Sequence, residues 1–403
     1  MQPEQTKDTN NRPNLLLLGA RVPFPLISGE RLKNFHLVER LSRHFNLHLI
    51  FLSDEKDNSK AEEALTPYAS SLRIFQVSPW RQRLNALKAI IGRSPLQVAY
   101  FHSAKVQAEV DRILPSMDVA VATLVRTASY LKDARIPKIL DMADSIGLNY
   151  RDSITKVSSR LWRTIYHIES SRLLAFEEAC INDFDQTLFF NHEEITFFGA
   201  EKRTRWVPHG TSEVLLQRPL ALMRRRAIAF LGKMDYQPNV DAVLWFCRHV
   251  LPLLPQDVTF LIVGAHPAAT IEALPRHHPN VQVTGFMDDP YVLLEECAAM
   301  VAPMQTGGGI QNKVLEAMAM GLPVVATERA VRPIIGSEHG RHLLVANTPA
   351  DMAAGIQRLL KDPDFRTSMG QEARALIAQT FTWDAYERAI VRTIQESMHA
   401  KPR

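Results

Sequence analysis

Short, continuous apolar runs recur along the chain at 14–18, 47–52, 72–77, 119–124, 136–140 and 187–190. They recur again at 227–231, 258–263, 281–284, 298–303, 322–326 and 342–345. Between them lie stretches with apolar residues at helical spacing. In 31–45, for example, Leu32, Phe35, Leu37, Val38 and Leu41 share one side, and 158–180, 241–251, 349–361 and 365–379 read the same way. Uninterrupted apolar strands joined through helices predict parallel sheets covered on both faces. The chain is therefore expected to be α/β, with two parallel-sheet domains and a linker near 205–220. Residues 1–13 are polar and read as a disordered tail.

One stretch carries the strongest chemical signal. After the apolar run at 298–303 comes Thr306-Gly307-Gly308-Gly309-Ile310-Gln311-Asn312-Lys313, then Val314, Leu315, Met318 and Ala319 at helical spacing. A helix over about 311–320 is predicted, ended by Gly321 and blocked by Pro323. A strand, a glycine turn and a helix N-terminus form an anion site, because free amides and the helix dipole point at the ligand. Lys313 adds positive charge in the first turn. Glu316 lies about one turn further on, where a carboxylate can accept hydrogen bonds from the vicinal hydroxyls of a ribose. The combination suits a sugar nucleotide. The bland alternative is a turn that packs a helix on a sheet, with both charges solvated.

Other strand ends offer weaker candidates. Gly29 closes the loop after the first strand, at the edge where open α/β sheets bind ligands; an ordinary surface turn is an equal alternative. Asp141 and Asp144 follow the apolar run 136–140, placed either for a site or, for Asp144 with Ser145, as a helix cap.

Composition narrows the class. A chain 46% hydrophobic and 22% charged is that of an ordinary globular protein. Cys180, Cys247 and Cys297 are far apart and form neither a disulfide framework nor a zinc motif, which fits a reducing, cytoplasmic setting. No apolar run is long enough to cross a bilayer. The net charge of +4 resides entirely in residues 1–205, with no basic run interleaved with aromatics, so nucleic acid is not indicated. Residues 80–93 are a local exception. Arg81, Arg83, Lys88 and Arg93 alternate with Trp80, Leu84, Leu87, Ile90 and Ile91 as a basic amphipathic helix. Such a helix suits an anionic membrane surface or, more ordinarily, a core face with a solvated back. No Gly-x-Gly-x-x-Gly, Walker or metal-ligand motif appears.

The glycine turn with the run Glu316-Ala317-Met318-Ala319-Met320-Gly321-Leu322-Pro323-Val324-Val325-Ala326 resembles the donor-site signature of retaining, GT-B-fold glycosyltransferases of the family 4, group 1 type, such as bacterial exopolysaccharide-associated sugar transferases. The resemblance is strongest over about 206–385. It implies two Rossmann-like domains facing across a cleft. An acceptor domain would span 14–205 and a nucleotide-sugar domain 206–380, with a closing helix at 381–403 crossing back to the first domain. In that family two glutamates frame the helix; the second matches Glu316, and the first falls at Gly308. The basic residue that contacts the donor diphosphate matches Lys233, after Gly232. A second lysine six residues later is Asn239 here, and Lys313 stands as its substitute. Gly285 and Phe286 match the loop that reads the base, and Gly29 the glycine that lets the first-domain loop approach the donor phosphate and the acceptor. Pro208-His209-Gly210 resembles the interdomain Pro-Asn-Gly segment.

The resemblance implies transfer of a sugar from a nucleotide-diphosphate donor to a glycan or lipid-linked acceptor in cell-surface or exopolysaccharide synthesis. The enzyme would be cytoplasmic, at the inner face of the membrane if residues 80–93 touch lipid. The donor is a co-substrate; no cofactor or metal is called for. Lys233, Lys313 and Asp144 are the catalytic candidates. Gly308, Gly309 and Ile310 join the donor site, and Asp141 and Asp144 the acceptor site. Two rivals stay open: a GT-B nucleotide-sugar 2-epimerase, and a non-catalytic GT-B partner subunit.

Overall fold

The computed structural model describes residues 12–26, 29–92, 94–154, 160–221, 223–307 and 309–400. The expected tail at 1–13 thus lies almost wholly outside them, as does Gly308. The chain divides into two compact units, 1–207 with 386–403, and 208–385.

In the first unit the described strands are β1 Asn14–Gly19, β2 Asn46–Ser53, β3 Ser71–Gln76, β4 Val119–Thr123, β5 Lys138–Ala143, β6 Gln186–Phe189 and β7 Thr204–Trp206. They form one parallel sheet in the order β3-β2-β1-β4-β5-β6-β7. The second unit holds β8 Ala227–Leu231, β9 Thr259–Val263, β10 Val281–Gly285, β11 Ala299–Ala302, β12 Val324–Ala326 and β13 Leu344–Val345. These are again parallel, ordered β10-β9-β8-β11-β12-β13. Both sheets are doubly wound, as the apolar runs predicted. Leu15, Leu16 and Leu17 of β1 and Ile228, Ala229 and Phe230 of β8 are wholly buried, because helices cover both faces. The strand order reverses between β1 and β4 and between β8 and β11. At such switch points the loops after the two central strands diverge and leave a crevice at their carboxyl ends.

Two local readings are corrected. Helix Gly29–Leu41 begins at Gly29, so that residue opens the helix rather than closing the loop. Strand β5 runs on to Ala143, which places Asp141 inside the sheet and not in the loop after it. The last helix, Trp383–His399, passes from one unit into the other at Tyr386. Within the first unit it is held by Glu387, which accepts hydrogen bonds from Arg40 and Arg43 at 3.0 Å each and pairs with His44 at 2.8 Å.

Candidate active site

In the second unit the chemistry gathers at the switch point. Strand β11 leads through Gly307 and Gly309, both with positive φ, into helix Asn312–Ala319. The helix ends as its sequence requires: Gly321 takes φ +69, its amide bonds to the Met318 carbonyl, and the Leu322 amide bonds to that of Ala317. The first turn of this helix therefore sits at the carboxyl ends of β11 and β8. After β8, the backbones of Gly232 and Gly264 touch so closely that a Cβ on Gly264 would lie 1.8 Å from the Gly232 carbonyl oxygen. A Cβ on Gly232 would in turn meet the Asn239 amide at 2.7 Å.

Lys313 reaches into this corner. Its buried ammonium donates to Asn239 Oδ1 at 2.5 Å and lies 4.4 Å from the centre of the Phe230 ring. Burial pulls its pKa down from 10.5 to about 7, against the opposing pull of Glu316. Asn239 is fixed at its other end by donating to the Lys233 carbonyl at 2.8 Å. Lys313 thus reaches Asn239, the position where the family resemblance would place a second lysine, from the opposite strand-end loop. Lys233 itself is half-exposed and pairs with Asp235 at 3.2 Å.

Glu316 lies one turn along the helix. Burial pushes its carboxyl up to about 7, while the Tyr291 hydroxyl, hydrogen-bonded to it, and Lys313 pull it down. Tyr291 is held in turn by Arg218, whose guanidinium lies 5.6 Å from its ring centre and pairs with Asp289 and with Glu295. Sequence reasoning missed Tyr291 and Arg218. Nothing at positions 218 and 291 marks them, because the contact spans more than seventy residues. Gly285 ends β10 with φ +71, and Phe286 beside it is exposed. Ile310 is half-buried in the turn.

The acidic residues of the first unit form a separate buried cluster. Asp141 is fully buried, makes an ion pair with buried Lys33 and accepts from the Tyr386 hydroxyl at 3.1 Å. Asp144 follows a bulge at which Ala143 takes φ +61, a conformation that costs a residue with a Cβ. Burial raises the Asp144 carboxyl to about 6, helped by Asp141 and opposed by Lys33. Ser145 caps helix Ile146–Ser153 and donates to Glu177 at 2.5 Å. Glu194 accepts from the Ser145 amide at 3.0 Å. Of the two acceptor-site candidates, Asp141 is engaged through one oxygen by Lys33 and Tyr386, and both Asp141 and Asp144 keep a buried oxygen with no hydrogen bond among the described residues. No group of three metal-ligating side chains is found among the described residues.

The two doubly wound parallel-sheet units have the GT-B fold, as the likeness to solved structures shows. Residues 225–362 match the family model described as glycosyl transferases group 1. A D-inositol 3-phosphate glycosyltransferase of Corynebacterium jeikeium is 37% identical over 185 residues, covering 43% of this chain and 44% of that protein. The match spans less than half the length of the curated relatives. The fold is similar throughout to a sucrose-phosphate synthase from Thermosynechococcus elongatus, with TM-score 0.67, 17% identity and coverage of 97% and 100% of the two chains. It is similar also to Anabaena HepE in complex with UDP, with TM-score 0.66, 15% identity and coverage of 95% and 100%. At these identities the likenesses show the fold.

Proposed function

We propose that this protein is a glycosyltransferase that moves a sugar from a nucleotide-diphosphate donor to a glycan or lipid-linked acceptor. The observation that carries this reading is the Lys313–Glu316 pair on the helix after the glycine turn, inside the segment that matches the group 1 family model. Lys313 and the turn amides of Gly309 and Ile310 supply positive charge for the diphosphate, with Lys233 at its rim. Glu316, oriented by Tyr291, accepts from the ribose. Gly285 and Phe286 are the residues this reading assigns to the base, through the backbone of their loop. HepE, a structural neighbour, was solved with UDP and with UDP-glucose, which supports a nucleotide sugar as the donor here too.

Catalysis then rests on position and on stabilising the departing diphosphate, whose charge grows as the glycosidic bond breaks. The reading asks for no metal, since ammonium groups and helix amides carry that task. Asp144, held partly protonated by burial, is the group in the first unit best suited to meet an acceptor hydroxyl. We place the work in cell-surface or exopolysaccharide synthesis.

Contact with a membrane is part of the proposal. Helix Pro79–Ile91 turns Trp80, Leu84 and Leu87 outward, each more than half exposed, while Gln82 and Ala89 are buried. Arg83 lies over the Trp80 ring at 5.6 Å. The side chains of Arg81 and Lys88, and residue Arg93, lie outside those described. An outward apolar stripe on a basic helix suits attachment to an anionic surface, and among the described residues no helix is long and apolar enough to cross a membrane. Replacing Arg81, Arg83 and Lys88 by Gln should weaken sedimentation with anionic vesicles; unaltered binding would remove the membrane from the proposal.

The enzymatic reading is tested with nucleotide sugars and the purified protein, by following released nucleoside diphosphate with and without candidate acceptors. Lys313→Ala should lower turnover on the order of 100-fold, and Lys313→Arg should restore part of it, because the charge returns in a different geometry. Conversion of UDP-N-acetylglucosamine with no acceptor and no released diphosphate would point to an epimerase instead.

A further inference from the structure

The switch point of the first sheet holds a second cation cluster that the reading above does not use. Leu124, directly after β4, takes φ +61 and turns the chain so that Arg126 lies at the carboxyl end of the sheet, next to the loop that follows β1. The Arg126 side chain is 18% exposed. Its Nε donates to Gln97 Oε1 at 3.1 Å, and its guanidinium lies 5.2 Å from the centre of the Phe101 ring. Gln97 is itself fixed by donating to the Tyr150 hydroxyl at 2.9 Å. Nη1 of Arg126 comes within 3.9 Å of Glu30, and Nη1 of Arg21 within 3.8 Å of the same Glu30 oxygen. Both distances exceed hydrogen-bonding range. The other Glu30 oxygen is buried and has no hydrogen bond among the described residues.

Two guanidiniums therefore share one carboxylate, and neither pairs with it closely. A half-buried positive charge without a close counter-ion is costly and is relieved by an incoming anion. Arginine offers a planar pair of donors that matches phosphate or carboxylate. Glu30 stands in the first turn of helix Gly29–Leu41, whose free amides favour negative charge in the same place. Its carboxylate lies between the two guanidiniums, where it can serve as an internal stand-in for an external anion. Burial, the largest influence on Arg126, lowers its pKa, and Arg21 pushes the same way against Glu30.

We propose that Arg126 and Arg21 form an anion subsite, and that the acceptor of this enzyme carries an acidic group, phosphate or carboxylate, that binds there. The identification of the ligand as the acceptor rests on the glycosyltransferase reading; the anion subsite rests on the geometry alone. The stacked pair Tyr150–Tyr166, 4.9 Å between ring centres, lies beside Gln97 and offers a flat apolar face to the sugar that bears the charge.

Calorimetry with glucose 6-phosphate, glucuronate and glucose on the full chain tests the proposal. At least one acidic sugar should bind ~10-fold more tightly than glucose, with Kd on the order of millimolar. The stronger of the two identifies the group as phosphate or carboxylate. Arg126→Gln should abolish the preference and Arg126→Lys should keep part of it, whereas Lys313→Ala should leave it intact. Glu30→Gln, which removes the stand-in, should tighten acidic sugars several-fold, a gain that a purely structural arginine would not give. Equal binding of acidic and neutral sugars, no binding of either acid at ~10 mM, or a Glu30→Gln protein unchanged in affinity would overturn the proposal. Nucleoside diphosphate binding measured on the same preparations tests the donor reading separately, so the two can fail independently.

Discussion

If Lys313 meets the donor diphosphate as proposed, donor binding should be sensitive to pH. Its pKa of about 7 in the free protein, against 10.5 for an unburied lysine, means that burial costs the charged form about 5 kcal/mol at 1.36 kcal/mol per pH unit. A diphosphate arriving about 4 Å away returns roughly 4 kcal/mol for each unit charge at an effective dielectric of 20. That is enough to lift the pKa back towards 10. Lys313 should then be mostly neutral at pH 8 in the free protein and charged in the complex, so binding takes up about 0.9 proton there. Because the raised state is the bound one, affinity falls as pH rises above 7, by about 50-fold between pH 7 and pH 9. Glu316, which faces Lys313 and titrates at about 7, goes from about half-ionised at pH 7 to fully ionised by pH 9 and so adds at most about a factor of two in the opposite direction. Calorimetry at pH 8 in two buffers of different ionisation enthalpy counts the protons directly. Lys313→Arg, charged throughout, should show no uptake and a flat profile. Uptake below about 0.1 proton with a flat profile in the parent protein would refute the reasoning, because the buried ammonium would not then meet the phosphates.

Three further outcomes follow from the same geometry. Glu316→Ala should weaken nucleoside diphosphate binding by ~1.5–3 kcal/mol, with little loss for a 2′,3′-dideoxy analogue; equal loss for both would deny the ribose contact. Glu177 is buried and its carboxyl is raised from 4.5 to about 7, so the folded state holds a proton that the unfolded chain releases. Its stabilising effect is complete below pH 4.5 and fades by about 3 kcal/mol as pH rises to about 7, and urea midpoints of Glu177→Gln should lack that decline. Lys33→Met, which strands the buried Asp141 carboxylate, should cost ~3–5 kcal/mol, and a Lys33→Met, Asp141→Leu pair should recover most of it; additive losses would show that the ion pair contributes nothing.

The fold was legible because its strands are apolar on both faces. Runs such as Leu15 to Leu18 and Ala227 to Leu231 have one structural use in a chain of this length, and their alternation with helices sets a parallel sheet. Strand β7, Thr204–Trp206, escaped because three edge residues with Arg205 exposed carry no periodic signal. Helix Ala104–Ile113 escaped because only Val106 and Val110 are buried, too few positions to register as a stripe. At the candidate site, the glycine turn, Lys313 and Glu316 were visible because they are local in the chain. The partners that give them character were not. Asn239 meets Lys313 from 74 residues away, and Tyr386 meets Asp141 from 245. Such pairings depend on which strand ends the topology brings together, and no local pattern encodes them. Asp141 was misplaced because its apolar neighbours Leu140 and Met142 continue a strand through a charge that Lys33 neutralises.

The central claim is that the corner formed by Gly232, Lys313 and Glu316 binds the donor and drives departure of its diphosphate. The most direct measurement is nucleoside diphosphate release from a panel of nucleotide sugars by the parent protein and by Lys313→Ala. The account predicts release with at least one donor, stimulated by an acceptor, and reduced ~100-fold in the variant with binding of the intact donor weakened far less. Undiminished release by a well-folded Lys313→Ala protein would contradict it.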